Sequence, residues 1–288
     1  MKKHYLAIDS ARARVSVMSS DFKLIEALKY SEFLRRYVPG YRIVNDSALR
    51  TVSITLKTGK PCFLLKYPKA EYTNVSYEDK DVVSLIELLL ERARQETGTY
   101  CLHSSSVIVK GRGVIFWGGA SGMGKTRLAL TMSENFNARI YSDEKTLLSL
   151  RKDLIVGGIA SVYLLKPYLQ DKFNGTGFHD FPQLKQSFPV GFFVYPNIDE
   201  HSRSAYVERW DAEKFNWHLY EELSRKIRGT SRRIFHNTLP VLSIDSLPVA
   251  KQRSMEVEVY TKRTPCYYMK GSEKMICKSI IKLCKNLI

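Results

Sequence analysis

One nine-residue stretch, GGASGMGKT at residues 118–126, decides how this sequence is interpreted. Its last eight residues match GxxxxGK[ST], the pattern of a loop whose backbone amides surround phosphate oxygens. Glycine suits such a loop because the amides can point inward only where no Cβ is in the way. The residues predicted to bind nucleotide phosphates are Gly119, Ala120, Ser121, Gly122, Met123, Gly124, Lys125 and Thr126.

The segments on both sides of this glycine loop fit a phosphate site. Residues 114–117, VIFW, predict a strand that leads into the loop, and residues 125–136 predict a helix that begins in it. The first amides of such a helix, with the helix dipole, favour bound anions. Lys125 would reach the terminal phosphates, and the Thr126 hydroxyl would ligate Mg²⁺. The sequence therefore predicts a site for a nucleotide and Mg²⁺.

Two adjacent acids, Asp143 and Glu144, follow the next predicted strand, which ends at Ser142. Phosphoryl transfer needs a carboxylate for the metal and a group that deprotonates the acceptor. Because an α/β sheet binds its ligand at the carboxyl ends of its strands, these acids are well placed. We assign Asp143 as the base and Glu144, with Thr126, as a metal ligand. Their adjacency also allows the reverse assignment, and a structural role as a turn or helix cap is the alternative.

Residues 100–130, YCLHSSSVIVKGRGVIFWGGASGMGKTRLAL, followed by ARIYSDE at 138–144, resemble the C-terminal domain of HPr serine kinases. Members of that family combine a histidine-containing segment, a short hairpin, a glycine-rich loop and a strand that ends in two acids. The resemblance covers residues 99–160. It implies an α/β fold, with a P-loop kinase domain at residues 99–288 that is related to HPr kinase and phosphoenolpyruvate carboxykinase.

The resemblance also implies an activity, namely ATP-dependent transfer of the γ-phosphoryl group to a serine-type hydroxyl, with Mg²⁺. The catalytic residues it implies are Asp143, Lys125 and His103. Three residues depart from the family pattern: Glu144 replaces the second aspartate, Thr126 replaces serine and Arg127 stands where HPr kinases have glutamate. The acceptor therefore stays open among a serine-containing small molecule, peptide or protein, and homo-oligomers, common in the family, are a further expectation.

Several other polar residues are weaker candidates. On the sequence alone, His103 also fits a packed or surface histidine. His179 and Asp180 lie in a Gly-rich segment, residues 170–186, which predicts a long loop beside the site. The candidate arginines for stabilising a transferred phosphoryl group are Arg203, Arg209, Arg232 and Arg233.

Residues 1–98 predict a smaller mixed α/β region for substrate recognition or assembly. Residues 4–9 and 14–19 predict one strand pair, and residues 50–59 and 61–67 predict another. Residues 79–98 predict a helix that is capped by Asp79 or Asp81 and ends at Gly98. Further along, residues 190–196 predict a strand, 211–229 a helix that Gly229 ends, and 272–286 a terminal helix.

The charge of the chain is strongly basic, +16 over 288 residues, and 44% of the residues are hydrophobic, enough for a folded core. From Arg225 onward there are 14 Lys or Arg and four acids, a net charge of +10. Such a field would attract an anionic partner, although a solvated face is the simpler interpretation. We do not expect nucleic acid as the partner, because no nucleic-acid-binding motif accompanies the charge.

The alternative functions are a P-loop ATPase and a nucleotide-binding module whose basic surface docks an anionic partner.

The cysteine spacing and the hydropathy of the sequence predict where in the cell the protein is located. The five cysteines are scattered and form no CxxC pair, so we expect buried thiols and neither a disulfide framework nor a zinc site. No apolar run approaches the roughly 18 residues that cross a bilayer. The first residues, MKKHYLAIDSARARV, contain no signal-peptide apolar segment. We therefore expect a cytoplasmic protein without a membrane span.

Overall fold

The structure is a computed structural model that describes residues 2–44, 51–74, 76–118, 122–228, 233–234, 239–240 and 243–285, and these form a mixed α/β chain. The strands are β1 (His4–Ser10), β2 (Ala13–Ser19), β3 (Tyr41–Val44), β4 (Ser53–Thr58), β5 (Cys62–Lys66), β6 (Lys69–Asn74), β7 (Thr99–Leu102), β8 (Ser104–Val109), β9 (Arg112–Trp117), β10 (Arg139–Ser142), β11 (Thr146–Ser149), β12 (Leu154–Gly158), β13 (Ser161–Tyr163), β14 (Phe178–Asp180), β15 (Phe188–Ile198), β16 (Tyr206–Arg209), β17 (Arg233–Ile234), β18 (Leu239–Pro240) and β19 (Cys266–Gly271). The helices are α1 (Phe22–Lys29), α2 (Glu32–Tyr37), α3 (Asp79–Glu96), α4 (Lys125–Phe136), α5 (Pro167–Phe173), α6 (Ala212–Ser224), α7 (Leu247–Arg263) and α8 (Glu273–Lys285).

The chain divides into two compact units. The first comprises Met1–Tyr100 with Leu223–Arg253, and the second comprises Cys101–Glu222 with Ser254–Ile288. The predicted division after residue 98 therefore lies close to the first boundary. The predicted second domain, residues 99–288, is interrupted, because its residues 223–253 group with the first unit. The physical reason is burial: Ile227, Ile244 and Val249 belong to the hydrophobic core of the first unit.

The first unit contains a sheet of order β3-β1-β2-β4-β6-β5. The predicted hairpin of β1 and β2 is confirmed. The predicted pairing of β4 with β5 is wrong, since β6 lies between them, parallel to β4 and antiparallel to β5. Only Ala70 and Tyr72 of β6 are buried, so the sequence of this strand carries too little apolar signal to predict it.

Helix α3 supplies much of the core of the first unit. Its buried apolar residues include Val82, Leu85 and Leu89, and it packs against β2 and α2. The predicted Asp caps are wrong: Glu78 precedes the first turn and makes no side-chain capping hydrogen bond. Gly98 follows the helix with φ +71°, a conformation that favours glycine, as the sequence predicts.

The second unit is built on a sheet of order β10-β8-β9-β15-β12-β11-β7, in which β19 pairs with both β15 and β16. β8 is antiparallel to β9 and β10 is antiparallel to β8, so β10 and β9 run in the same direction. β15 is parallel to β9, and β19 is parallel to β15. The carboxyl ends of these strands therefore meet at one edge, where the glycine loop and Asp143 follow β9 and β10.

Helices α4 and α8 pack on one face of this sheet. Their apolar residues form the second hydrophobic core with residues of β9 and β15, such as Phe116 and Phe192. The predicted helix over residues 125–136 is confirmed by α4. α8 begins one residue after the predicted start, and Ser272 accepts the backbone hydrogen bond of Ile276 over 3.0 Å.

Other elements differ from the prediction. The segment predicted as a loop, residues 170–186, contains the end of α5 and the strand β14. Helix α7 was not predicted at all, because charged residues interrupt its apolar spacing. α6 ends at Ser224, whereas Gly229, the predicted end, lies outside the described residues. Cys62 is exposed, contrary to the expected burial of all five thiols.

Across the described ranges, no helix has the length and apolar character needed to cross a membrane.

Candidate functional site

The described glycines of the glycine loop that precede α4 have a backbone conformation that favours glycine. Gly122 and Gly124 have φ values of +92° and +88°, which side-chain-bearing residues rarely adopt. A Cβ on Gly124 would lie 2.0 Å from Ile198 Cδ1, so this position also lacks space for a side chain. The predicted phosphate-binding residues Gly119, Ala120 and Ser121 lie outside the described residues, while the other five predicted positions are described.

Lys125 is the first residue of α4, and its side chain reaches back to Gly118. The residue is 7% exposed, and its Nζ donates a hydrogen bond to the Gly118 carbonyl over 3.3 Å. The Leu128 amide bonds to the Gly124 carbonyl, so the helix is regular from its first turn. The amides at the start of a helix, which here precede Leu128, have no acceptor within the helix itself. Together with the charge of Lys125, they suit the site to anions.

Asp143 is buried beside α4, directly after β10. Its carboxylate accepts hydrogen bonds from the Thr126 hydroxyl, 2.9 Å from Oδ1 and 3.2 Å from Oδ2, and from the Ser105 hydroxyl. Burial, and then the charge of Glu144, raise the pKa of Asp143 to about 6, although the hydroxyl hydrogen bonds act in the opposite direction. The net effect of these surroundings is to disfavour the ionised form of the Asp143 carboxylate.

Glu144 is exposed, unlike the buried Asp143 beside it in the chain. Its φ of 62° is uncommon for a residue other than glycine, and its side chain is about half exposed. His103 lies beside it: His103 Nδ1 is 3.0 Å from the Glu144 carbonyl oxygen and 3.6 Å from Glu144 Oε2. The two predicted acids therefore have different surroundings, and the acid that contacts Thr126 is Asp143, not Glu144.

A network of hydrogen bonds between buried hydroxyls connects β8, β10 and β11 next to the two acids. Ser106 and Ser142 are 2.6 Å apart, Ser142 and Thr146 are 2.7 Å apart, and Ser104 donates to Thr146 over 2.8 Å. Because side chains alternate along a strand, Ser105 points to the opposite face and reaches Asp143. Ser105 was not identified from the sequence as a residue of the site.

A cavity of about 290 Å³ brings most of the predicted residues together. This volume is at the lower limit for small-ligand sites. The described residues that line it are His103, Ser105, Gly122, Met123, Gly124, Lys125, Thr126, Arg127, Asp143, Glu144, Val162, Tyr163, Leu165, Lys166, Tyr168 and Leu169. One side is thus polar and the other is largely apolar and aromatic.

The apolar side of the cavity comes from β13 and α5, which the sequence did not predict as part of the site. Leu165 and Tyr168 are exposed there, while Leu169 is buried. Burial raises the pKa of Tyr168, and the charge of Asp143 adds to this. The only signal in the sequence was that the segment adjoins a predicted loop.

The weaker candidates take other positions. His179 stacks on Phe173 with ring centroids 3.9 Å apart and does not line the cavity, and neither does Asp180. Arg203 and Arg209 also lie outside the described lining, Arg232 is outside the described residues, and only the backbone of Arg233 is described. Arg127 does line the cavity, and it forms ion pairs of 2.7 Å with Glu200 and with Glu273.

Comparison with protein-family models gave no match to this chain, and comparison with curated proteins gave none either.

Proposed function

We propose that this protein is an ATP-dependent kinase that transfers the γ-phosphoryl group to a serine-type hydroxyl, and that its second unit is a P-loop kinase domain of the kind found in HPr kinase and phosphoenolpyruvate carboxykinase. The observation that carries the proposal is the contact between the Thr126 hydroxyl, at the start of α4, and the buried Asp143 carboxylate. A glycine loop alone would support only phosphate binding. The contact adds a carboxylate at the point where a metal ion and the terminal phosphates would meet.

The residues fit a nucleotide phosphate chain. The glycine conformations at residues 122 and 124 keep the backbone open to an anion, and the buried Lys125 contributes a positive charge at the same place. The Cβ of any other residue at position 124 would overlap Ile198. In this proposal the first amides of α4 and Lys125 bind the β- and γ-phosphates and orient them towards Asp143.

The residues also fit Mg²⁺, because a hydroxyl and a carboxylate are the hard oxygen donors that this ion prefers. Thr126 and Asp143 would hold it, and this reverses the division of roles predicted from sequence. Burial raises the pKa of Asp143 to about 6, so a nearby cation would stabilise the ionised carboxylate. Bound Mg²⁺ would neutralise charge on the phosphates during transfer.

Glu144 and His103 would act on the acceptor. The Glu144 carboxylate is half exposed at the cavity, with His103 Nδ1 3.6 Å away. In this proposal Glu144 Oε2 accepts the proton of the acceptor hydroxyl, and His103 orients that carboxylate. The apolar and aromatic side, with Leu165 and Tyr168, would pack against the rest of the acceptor and exclude water, which limits hydrolysis of ATP.

The experiment that tests the function is phosphate transfer from γ-labelled ATP with Mg²⁺, screened against free serine, other small hydroxyl compounds and serine-containing peptides. We expect label on at least one acceptor. Lys125→Ala is expected to abolish the transfer, whereas Lys152→Ala, at an exposed lysine in the turn after β11, is the matched control and should leave it intact. Label that appears only as inorganic phosphate with every acceptor would instead support the ATPase.

A pair of variants tests the division of roles between the two acids. Asp143→Asn should weaken the Mg²⁺ dependence of nucleotide binding, while Glu144→Gln should bind Mg²⁺ and ATP like the parent protein and lose transfer. The opposite pattern, with metal-dependent binding lost only in Glu144→Gln, would restore the assignment predicted from sequence.

A further inference from the structure

A cluster of aromatic side chains adjoins the glycine loop on the side away from Asp143. In the sheet of the second unit, β9 lies between β8 and β15, so β8 and β10 extend on one side of the loop and β15 and β19 on the other. We name this cluster the aromatic surface. Its members are Tyr195, Trp210, Trp217, His218 and Tyr268.

The rings of the aromatic surface form one continuous group. The Tyr195 ring centroid lies 5.0 Å from that of Trp210 and 6.4 Å from that of Tyr268. Trp210 and His218 are stacked, with centroids 4.9 Å apart and an angle of 26° between the rings, and Trp217 lies 4.9 Å from His218. Several of these rings remain open to a ligand: Trp217 is 64% exposed, and Tyr195 and Tyr268 are half-buried.

Tyr195 connects the aromatic surface to the glycine loop. A Cβ on Gly118, the first residue of the loop, would lie 3.3 Å from Tyr195 Cε2. The tyrosine ring therefore packs against the backbone where the loop begins. A ligand that extends from the glycine loop past Gly118 would therefore meet the Tyr195 ring.

The polar groups of the aromatic surface also suit a flat heterocycle. Burial, and to a lesser extent the charge of Lys214, lower the pKa of His218, which favours the uncharged ring, and such a ring stacks without desolvating a charge. Asn197 is exposed and donates to the Tyr268 hydroxyl over 2.8 Å, so this amide lies at the rim.

We propose that the aromatic surface binds the nucleobase of a nucleoside triphosphate whose phosphates lie in the glycine loop; this inference rests on the proposed function. The base stacks on the β15 and β19 side, the phosphates lie at the start of α4, and the acceptor enters at Asp143 and Glu144. Stacking on aromatic rings accepts every base, because each base has a π face. Purines are favoured, since their larger rings cover more of the surface.

The test compares two ligands, ATP and inorganic triphosphate, each with Mg²⁺, by titration calorimetry of the full chain. For the parent protein, ATP should bind about 5- to 150-fold more tightly than triphosphate, the range that one stacked base contributes. Tyr195→Leu should lose most of this difference, while Tyr195→Phe, which keeps the ring, should preserve it. Triphosphate should bind equally to the parent and both variants, and this shows that the loop is intact.

Two further variants keep the test independent of folding. Trp217→Leu changes an exposed residue and should reduce the affinity for ATP and not for triphosphate, whereas Tyr30→Leu, at an exposed tyrosine of the first unit, should change neither. Equal affinity of the parent protein for ATP and triphosphate, or ATP binding unchanged in both Tyr195→Leu and Trp217→Leu, would overturn the inference alone. Failure of the parent protein to bind either ligand would instead contradict the proposed function.

Discussion

The Thr126 hydroxyl donates a hydrogen bond to the Asp143 carboxylate over 2.9 Å, although 17 residues separate them in the chain. The contact exists because β10 runs in the same direction as β9, with β8 between them, so both strands end at the same edge of the sheet. A carboxylate buried to this degree opposes folding when it is ionised. Such an arrangement is typical of a site that meets its positive charge in a ligand.

The first prediction concerns the stability of Asp143→Asn without metal or nucleotide. The folded-state pKa, about 6, exceeds the ordinary value of 3.8. The folded chain therefore binds this proton more tightly than the unfolded chain does, and stability falls as the pH rises from about 4 through 6. Asparagine stays neutral, so the variant should be more stable than the parent protein at pH 8 by about 1–3 kcal/mol, and the gain should vanish below pH 4.

Thermal unfolding at a series of pH values, with EDTA present, measures this difference. Asp180→Asn, at an exposed acid that does not line the cavity, is the matched control and should show no such pH-dependent gain. If Asp143→Asn proves less stable than the parent protein at every pH, the carboxylate has a structural role, and the functional interpretation of its burial is wrong.

The second prediction is an energetic coupling between Ser105 and Asp143. Ser105→Ala removes a donor to a buried carboxylate, which should cost about 1–3 kcal/mol at pH 8, where Asp143 is ionised. In the Asp143→Asn background the same change should cost much less, so a double-mutant cycle by chemical unfolding should give a coupling of at least about 0.5 kcal/mol. Ser105→Thr keeps the hydroxyl and should recover part of the loss. Purely additive effects would mean that the hydroxyl does not stabilise the ionised acid.

The third prediction separates two reasons for glycine in the loop. Gly122 and Gly124 have similar positive φ values, but a Cβ on Gly122 meets nothing within 4 Å, whereas one on Gly124 meets Ile198. Gly122→Ala should therefore lose only the conformational contribution, about 1–2 kcal/mol. Gly124→Ala should lose more and should also weaken nucleotide binding, and Ile198→Ala should restore part of the stability. Equal losses at both positions, measured by unfolding in urea, would exclude the steric contribution.

Much of the second unit could be predicted from local sequence. The change from a short apolar strand to glycines and then to helical spacing predicts β9, the loop and α4, because each signal depends on neighbouring residues only. The position of Asp143 followed from the general rule that ligands bind at the carboxyl ends of strands. The contact with Thr126 was less predictable, because it depends on the order of β10, β8 and β9 in the sheet.

Features that depend on distant parts of the chain were missed. Ser105 contacts Asp143 because of the alternation and register of β8, which the run of three serines does not reveal. Residues 223–253 group with the first unit because Ile227 and Ile244 are buried there, and no local pattern predicts such a return of the chain. Tyr168 reaches the cavity because α5 begins at Pro167, directly before a segment whose composition predicted a loop.

In the proposed reaction the γ-phosphoryl group goes to a hydroxyl and not to water. The decisive measurement is the fraction of labelled phosphate lost from ATP that is recovered as a phosphate ester, at saturating Mg²⁺ with the best acceptor of the screen. We predict that most of the label is recovered in the acceptor, and that Glu144→Gln lowers this recovery while ATP still binds. Quantitative release of the label as inorganic phosphate, at a rate that the acceptor does not change, would contradict this prediction.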